Sequence, residues 1–185
     1  MLVSLLFVLV SCSTTSAIPD SDQLFVGLKK TKYTNYEANE HATETQEELD
    51  VVLTTVPNGA LFGSPYYRSP FPVGLWVWNA FSQSTTGFGK WMNKAFGTEP
   101  VLMSVVSPDL HAKVGESTLK NNGYFNGKIS YEVLPQSNPK KSKVAYTVDM
   151  GHLWTLDTIS YEKFPAEADN IIREHLDNAC IKKSP

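Results

Sequence analysis

Strict alternation of apolar and polar residues predicts two β-strands in the second half of the chain. The alternating apolar positions are Ile129, Tyr131 and Val133 in the first strand, and Val144, Tyr146, Val148 and Met150 in the second. A period of two places one face of a strand against a core and the other face in water. The polar residues 136–140 lie between the two runs and predict a hairpin loop, so we expect an antiparallel pair.

A spacing of three to four residues between apolar positions predicts a helix over residues 42–56. Thr43 or Thr45 is the residue type that caps a helix N-terminus, and we expect one of them to do so. Glu47 and Glu48 would then lie in the first turn, where the helix dipole favours negative charge.

The motif Ser107-Pro108-Asp109 predicts the start of another helix, which ends near Asn122 with Gly123 as a left-handed cap. Its apolar residues fall on two faces, so we expect packing contacts on more than one side. The two pairs are Leu110 with Val114 and Ala112 with Leu119.

Residues 24–33 (LFVGLKKTKY) predict a first strand with a weak pattern that a glycine interrupts. Between the two long helices lies an insertion, residues 58–104, rich in glycine, proline and aromatic residues. Apolar spacing within it predicts short helices at 74–81 and 88–96. The order strand, helix, insertion, helix, strand, strand predicts an α+β sandwich with helices on one face of a sheet.

The last part of the chain predicts a further strand at residues 154–161 and a helix after Pro165. The helical stripe consists of Ala168, Ile171, Ile172, His175, Leu176 and Ala179. These two elements extend beyond the first sandwich and predict the beginning of a second unit.

The N-terminus carries a short apolar run that ends at Leu9-Val10-Ser11-Cys12. The run is too short to cross a bilayer of about 30 Å as a helix, but it has the length of a signal-peptide core. The tetrapeptide resembles the bacterial lipobox. That resemblance implies a signal peptide over residues 1–11 and a lipid on Cys12. Residues 12–23, rich in Ser, Thr, Pro and Asp, would form a flexible tether.

No Lys or Arg precedes the apolar run, which departs from the usual signal-peptide pattern and suggests a start codon upstream of Met1. The alternative is a buried N-terminal strand with an inert cysteine. The only other cysteine is Cys180, and two cysteines form neither a zinc motif nor a disulfide framework.

Hydrophobic residues make up 42% of the chain and charged residues 19%, which is enough for a packed core. The net charge of −3 argues against a nucleic-acid partner. Lys140, Lys141 and Lys143 form a small basic cluster that we assign to a solvated hairpin loop.

Residue patterns for catalysis or metal binding are weak, and we expect a protein that is not an enzyme and has no cofactor. The histidines are widely spaced and predict no metal site; they are His41, His111, His152 and His175. The segment 85–90 fails as a phosphate loop, because Ser84 stands where glycine is required and Trp91 follows Lys90.

Aromatic residues are concentrated in the insertion: Tyr66, Tyr67, Phe71, Trp76, Trp78, Phe81, Phe88 and Trp91. We favour the interpretation that they pack the insertion onto the core. A partner-facing or membrane-facing surface and a sugar-binding platform remain as alternatives.

The motif Asn-Gly-Tyr-Phe at residues 122–125, the strand pair, and Val148-Asp149-Met150-Gly151 together resemble the POTRA repeat of BamA/TamA-type outer-membrane assembly proteins. With the lipobox and the Trp-rich insertion, the chain resembles the lipoprotein branch of this superfamily from Bacteroidetes, called TamL. The resemblance covers nearly all of residues 12–185.

The resemblance implies a POTRA-like β-α-α-β-β domain over residues 24–152, with its insertion at 58–104, and an incomplete second POTRA-like domain over residues 153–185. It implies a lipid-anchored protein of the bacterial outer membrane with its soluble part in the periplasm. The partners would be outer-membrane protein clients or assembly-complex subunits, bound by adding a strand to a sheet edge.

The residues expected at partner contacts are Ile129, Tyr131, Val133, Trp76, Trp78 and Trp91. A membrane barrel needs many alternating segments that this chain lacks, so we expect a fragment of a longer product. The alternative function is a surface glycan-binding lipoprotein that uses the Trp-rich insertion.

Overall fold

The computed structural model describes residues 14–156 and 165–175, and the predicted signal peptide and Cys12 lie outside them. The strands are β1 (Leu24–Leu28), β2 (Lys32–Thr34), β3 (Lys128–Pro135) and β4 (Lys141–Asp149). The helices are α1 (Glu40–Leu53), α2 (Val73–Phe81), α3 (Gly87–Phe96), the single turn α4 (Met103–Val106), α5 (Pro108–Asn121) and α6 (Ala166–His175). The predicted α+β class is confirmed.

Strand β4 lies at the centre of the described sheet. Strands β1 and β2 pair with it in parallel on one side, and β3 pairs with it in antiparallel register on the other. The predicted hairpin of β3 and β4 is therefore confirmed. Side chains of β4 alternate between buried and more exposed positions, which also confirms that the hairpin has one wet face.

Strands β1 and β2 occupy the place of the single predicted strand at residues 24–33. The pairing register with β4 shifts between Phe25 and Leu28. Gly27 lies in that shift with a φ of +123°, a backbone conformation that glycine adopts most readily. The Leu28 N–H donates to the carbonyl of Pro65 at 2.8 Å. A contact from the insertion is therefore part of what breaks the strand.

The main core lies between the sheet and helices α1 and α5. Leu49 and Leu53 of α1 and Leu119 of α5 are buried there with Tyr146 and Val148 of β4. Each large apolar side chain that is removed from water in this way stabilises the fold by about 1.5–3 kcal/mol.

Helix α1 begins earlier than predicted, and its cap is Asn39. The Asn39 Oδ1 accepts the backbone N–H of Ala42 at 2.7 Å. The prediction that Thr43 or Thr45 is the cap is wrong, because the Oγ1 atoms of both threonines donate to carbonyls four residues earlier. The predicted first-turn position of Glu47 and Glu48 is also wrong, since Glu40 is the acidic residue there.

Helix α5 follows Ser107 and ends before Gly123, whose φ is +86°, as predicted. Ser107 holds the N-cap position without a side-chain capping bond. The prediction of contacts on two faces is wrong, because Leu110 and Val114 are 58% and 47% exposed. Only the face that carries Ala112 and Leu119 is buried.

The segment predicted to be a tether makes specific contacts over its described part. The backbone N–H of Ala17 donates to Asn79 Oδ1 at 2.8 Å, and Ile18 is buried. Lys140 forms an ion pair with Asp20 at 2.7 Å and thereby lowers the pKa of Asp20. Residues 14–23 are thus attached to the domain at several points.

The predicted strand at residues 154–161 has its first residues, 154–156, in irregular backbone, and residues 157–164 lie outside the described part. Helix α6 confirms the predicted helix after Pro165, while Leu176 and Ala179 of its stripe are outside the described residues.

Candidate functional site

Strand β3 forms an edge of the described sheet, and its odd-numbered residues turn their backbone groups away from β4. The N–H of Gln136 donates to the carbonyl of Lys141, which fixes the even-numbered residues as the ones bonded to β4. Alternate residues of an antiparallel strand point to opposite sides. The backbone amides and carbonyls of Tyr131 and Val133 therefore point outward, and no described strand lies beyond them.

The first outward amide on this edge is already bonded. Ile129 donates its N–H to the carboxylate of Glu116 on α5, at 3.2 Å. At the other end of β3, Pro135 has no N–H to offer. The open stretch of the edge is therefore centred on Tyr131 and Val133.

The β1 part of the opposite edge of the sheet is covered by the insertion. The Phe25 N–H donates to the carbonyl of Val101 at 2.9 Å, and Leu24 forms an antiparallel bridge with Leu102. Leu28 donates to Pro65, as described above. Strand β3 is consequently the more open of these two edges.

Exposed apolar side chains lie beside the open edge. Ile129 faces the helix layer, since a Cβ added to Gly115 of α5 would lie 2.6 Å from Ile129 Cδ1. Tyr131 and Val133 project from the same face of the strand and are 42% and 37% exposed. We call the side chains of Tyr131 and Val133 together with the outward backbone of β3 the edge groove.

Two ion pairs lie near the edge groove. Lys113 forms an ion pair with Asp109 at 2.6 Å, and Lys128 lies 3.8 Å from Glu116. The hydrogen bond that Lys113 donates to Asp109 raises the pKa of Lys113. A ligand of this groove would be recognised through backbone hydrogen bonds and apolar contacts more than through charge.

An open cleft of about 650 Å³ lies near the ends of β2 and β4. Its lining is mostly polar and consists of Asn35, Tyr36, Glu37, Asn39, Tyr124, Gly151, His152, Leu153 and Thr155. No hydrogen bond joins two of these side chains into a nucleophile and base pair. The cleft therefore offers no arrangement for catalysis of that type.

The predicted partner residues fall into two separate places. Ile129, Tyr131 and Val133 lie on β3 as expected, although the side chain of Ile129 is buried. Trp76 and Trp78 are half-buried on α2, while Trp91 on α3 is 57% exposed.

The expectation that the aromatic residues of the insertion pack onto the core is wrong for much of the insertion. Five of its aromatic side chains are more than half exposed besides that of Trp91: Phe62, Tyr67, Phe71, Phe88 and Phe96. Trp76 contacts Phe71, while Trp91 contacts Phe88 and Phe96.

Two of the four histidines bond to backbone carbonyls that are distant in the sequence. His41 bonds to the carbonyl of Asn122 and His111 to that of Val52. Over residues 14–156 and 165–175, no group of three His, Cys, Asp or Glu side chains could hold a metal ion. In the same residues, no helix is long and apolar enough to cross a membrane.

Sequence reasoning missed Glu116, whose carboxylate closes one end of the open edge. Pro65 and Val101, which cover β1, carry no recognisable signal, because the cover depends on how the insertion folds.

Comparison with known proteins gives no match to a family model, a curated protein or a solved structure. The proposals below therefore depend on the residues of this chain and their geometry.

Proposed function

We propose that this protein is a POTRA-like periplasmic module of an outer-membrane assembly or translocation factor, which binds client or partner polypeptides by adding a strand to β3. The observation that carries the proposal is the edge groove: Tyr131 and Val133 turn their backbone groups outward, away from β4, and their side chains are partly exposed. Such an edge accepts an extended peptide through main-chain hydrogen bonds with little demand on its sequence.

The order of elements supports the module type. A strand, a helix, a second long helix and a β-hairpin occur in sequence, and α1 and α5 pack on one face of the sheet. The insertion between the helices covers β1 on the other side of the sheet, which would favour β3 for an incoming strand. The lipid on Cys12, the periplasmic location and the outer-membrane clients belong to the same proposal and derive from the sequence resemblance.

The expected affinity of the groove is modest. A strand paired with Tyr131 and Val133 would form one bond to each N–H and one to each carbonyl. Each bond contributes about 1 kcal/mol net, and burial of apolar area adds about 25 cal/mol per Å². Association itself costs several kcal/mol, so we expect dissociation constants on the order of micromolar to millimolar. That range suits transient contact with many clients.

The test is binding of fluorescently labelled peptides with alternating apolar residues, measured by anisotropy on the full chain. Val133→Pro removes an outward N–H without removing a bond to β4, and we expect it to weaken binding at least about tenfold. Val133→Thr keeps the N–H and the branched shape, and it should bind within about threefold of the wild type.

Circular dichroism confirms that each variant is folded before its affinity is compared. The proposal fails if the peptides bind and Val133→Pro binds them as tightly as the wild type. It also fails if the folded wild-type chain binds none of the alternating peptides at millimolar concentration.

A further inference from the structure

Helices α2 and α3 form an aromatic hairpin, defined here as residues 73–96, in which four rings contact one another in series. Phe81 lies 6.4 Å from Phe88, Phe88 lies 6.1 Å from Trp91, and Trp91 lies 6.0 Å from Phe96, measured between ring centres. Phe88, Trp91 and Phe96 are nevertheless 66%, 57% and 57% exposed. The rings support one another while they present a continuous apolar surface to the outside.

Of the two helices of the hairpin, α2 attaches it to the domain. Leu75 is buried with Leu24 and Val26 of β1, and Asn79 bonds to the segment before β1. Helix α3 buries only Gly89, at a contact with Ser84 inside the hairpin. The apolar stripe of α3 therefore does not serve the core of this domain.

The charged residues within the hairpin itself are both basic. Residues 73–96 contain no Asp or Glu, and their charged residues are Lys90 and Lys94; Arg68 precedes the hairpin. Arg68 donates to the carbonyl of Asn58 at 2.8 Å and is half-buried. Lys90 and Lys94 are exposed one turn apart, on the side of α3 away from Phe88 by helical spacing.

We propose that the aromatic hairpin is a second membrane-attachment site, which inserts Phe88, Trp91 and Phe96 into the interface of a bilayer that carries anionic phospholipid headgroups. A helix with aromatic residues on one face and lysines on the other lies in the plane of such an interface. Tryptophan prefers this zone because its ring is apolar and its N–H is polar. A helix of ten residues cannot span the bilayer.

A lipid surface fits these observations better than a protein partner does. The two exposed lysines of the hairpin, which itself contains no acidic residue, complement phosphate headgroups, which attract each nearby lysine. The site does not depend on the edge groove or on the lipid at Cys12, so its failure would leave the proposed function standing.

The test uses two single-tryptophan versions of the full chain with matched exposure. The first keeps Trp91 through W76F, W78F and W154F, and the second keeps Trp154 through W76F, W78F and W91F. Trp91 and Trp154 are 57% and 55% exposed in the structure. Each version is mixed with vesicles of phosphatidylcholine and phosphatidylglycerol whose acyl chains are brominated, and tryptophan emission is recorded.

We expect Trp91 emission to shift to shorter wavelength and to be quenched by the brominated chains, while Trp154 emission stays unchanged. Attachment through the N-terminal region alone would not distinguish the two positions in this way. Equal quenching of both tryptophans, or no quenching of Trp91, overturns the proposal. Two results together would overturn the proposal in favour of self-association. Trp91 emission would shift to shorter wavelength without vesicles, and sedimentation velocity would show a dimer.

The lipid charge is tested with Lys90→Gln and Lys94→Gln. Each should weaken partitioning into the anionic vesicles about fivefold and should leave partitioning into neutral vesicles unchanged. The control pair is Lys29→Gln and Lys30→Gln, which are exposed lysines outside the hairpin. An equal loss from the control pair would show that only the total charge matters, which contradicts a site at the hairpin.

Discussion

Glu116 on helix α5 accepts the backbone N–H of Ile129 on edge strand β3, at 3.2 Å. A side chain here takes the place that a neighbouring strand would occupy. The bond closes one end of the edge, and it leaves Tyr131 and Val133 as the outward positions that a partner strand can reach.

Replacing Glu116 tests how much this bond holds β3 against α5. Glu116→Ala should lower the free energy of unfolding by about 1–2 kcal/mol, because the half-buried N–H of Ile129 loses a charged acceptor. Glu116→Gln keeps an acceptor oxygen and should lose less than half of that. Lys128→Ala removes only an exposed ion pair and should change stability by less than about 0.5 kcal/mol. Urea denaturation of the wild type and the three variants gives the comparison. A denaturation midpoint of Glu116→Ala equal to that of the wild type would contradict the role of this bond.

The N-terminal cap of α1 gives a second comparison. Asn39→Ala should destabilise the protein by about 1 kcal/mol, since the N–H of Ala42 loses its acceptor. Thr43→Ala, at a position that the sequence offers as a cap, should cost less than about 0.5 kcal/mol because its side chain is exposed and donates to Asn39 instead. Thermal unfolding of both variants measures the order, and the reverse order would place the cap at the threonine.

Gly27 tests the contact that interrupts the first strand. A Cβ at this residue would lie 2.7 Å from the carbonyl oxygen of Pro65, and its φ is +123°. We expect Gly27→Ala to cost about 3 kcal/mol from backbone strain and overpacking together. Gly63 also has a positive φ, of +73°, but its Cβ would meet nothing within 4 Å. Gly63→Ala should therefore cost only about 1 kcal/mol. Similar losses of stability in denaturant titrations of the two variants would contradict the role of Pro65.

The buried tyrosines predict a loss of stability at alkaline pH. Burial raises the pKa of Tyr146 to about 12, and burial with a hydrogen bond to Asp50 raises the pKa of Tyr33. The unfolded chain releases these protons near pH 10, so it binds fewer protons than the folded chain above that pH. The stabilisation is therefore complete below pH 10 and is lost as the pH rises towards the folded-state pKa values.

The measurement is the free energy of unfolding at several pH values from 9 to about 12, the raised pKa of Tyr146. A double variant, Tyr33→Phe with Tyr146→Phe, should show a shallower alkaline decline than the wild type. Tyr146→Phe alone also removes a buried hydroxyl without a partner in the described part of the chain, so it should cost little at neutral pH. Parallel pH profiles for the wild type and the double variant would exclude this origin of the decline.

The elements that follow from local patterns could be predicted from the sequence. The alternation through Tyr146 and Val148 gave β4, and Gly123 marked the end of α5, because both signals lie within the element itself. The break in the first strand could not be predicted, since it depends on Pro65 from a distant segment. The cap of α1 was misplaced because three suitable residues lie within seven positions of one another.

The candidate site was predicted only in part. The sequence places Tyr131 and Val133 on a strand, but an apolar stripe does not reveal whether a partner covers it. The stripe of α3, which contains Trp91, looks the same whether it packs on a core or faces outward. The openness of β3 depends on how the insertion covers β1, and that long-range packing has no local signature.

Amide hydrogen exchange on β3, read residue by residue by NMR, tests the edge groove most directly. In the free protein, the amides of Glu132 and Leu134 should exchange slowly because they bond to β4, while those of Tyr131 and Val133 should exchange quickly. An alternating peptide should slow the exchange of Tyr131 and Val133 and leave the slow pair unchanged. Binding of the peptide with protection elsewhere, and none at Tyr131 and Val133, would contradict the proposed role of β3.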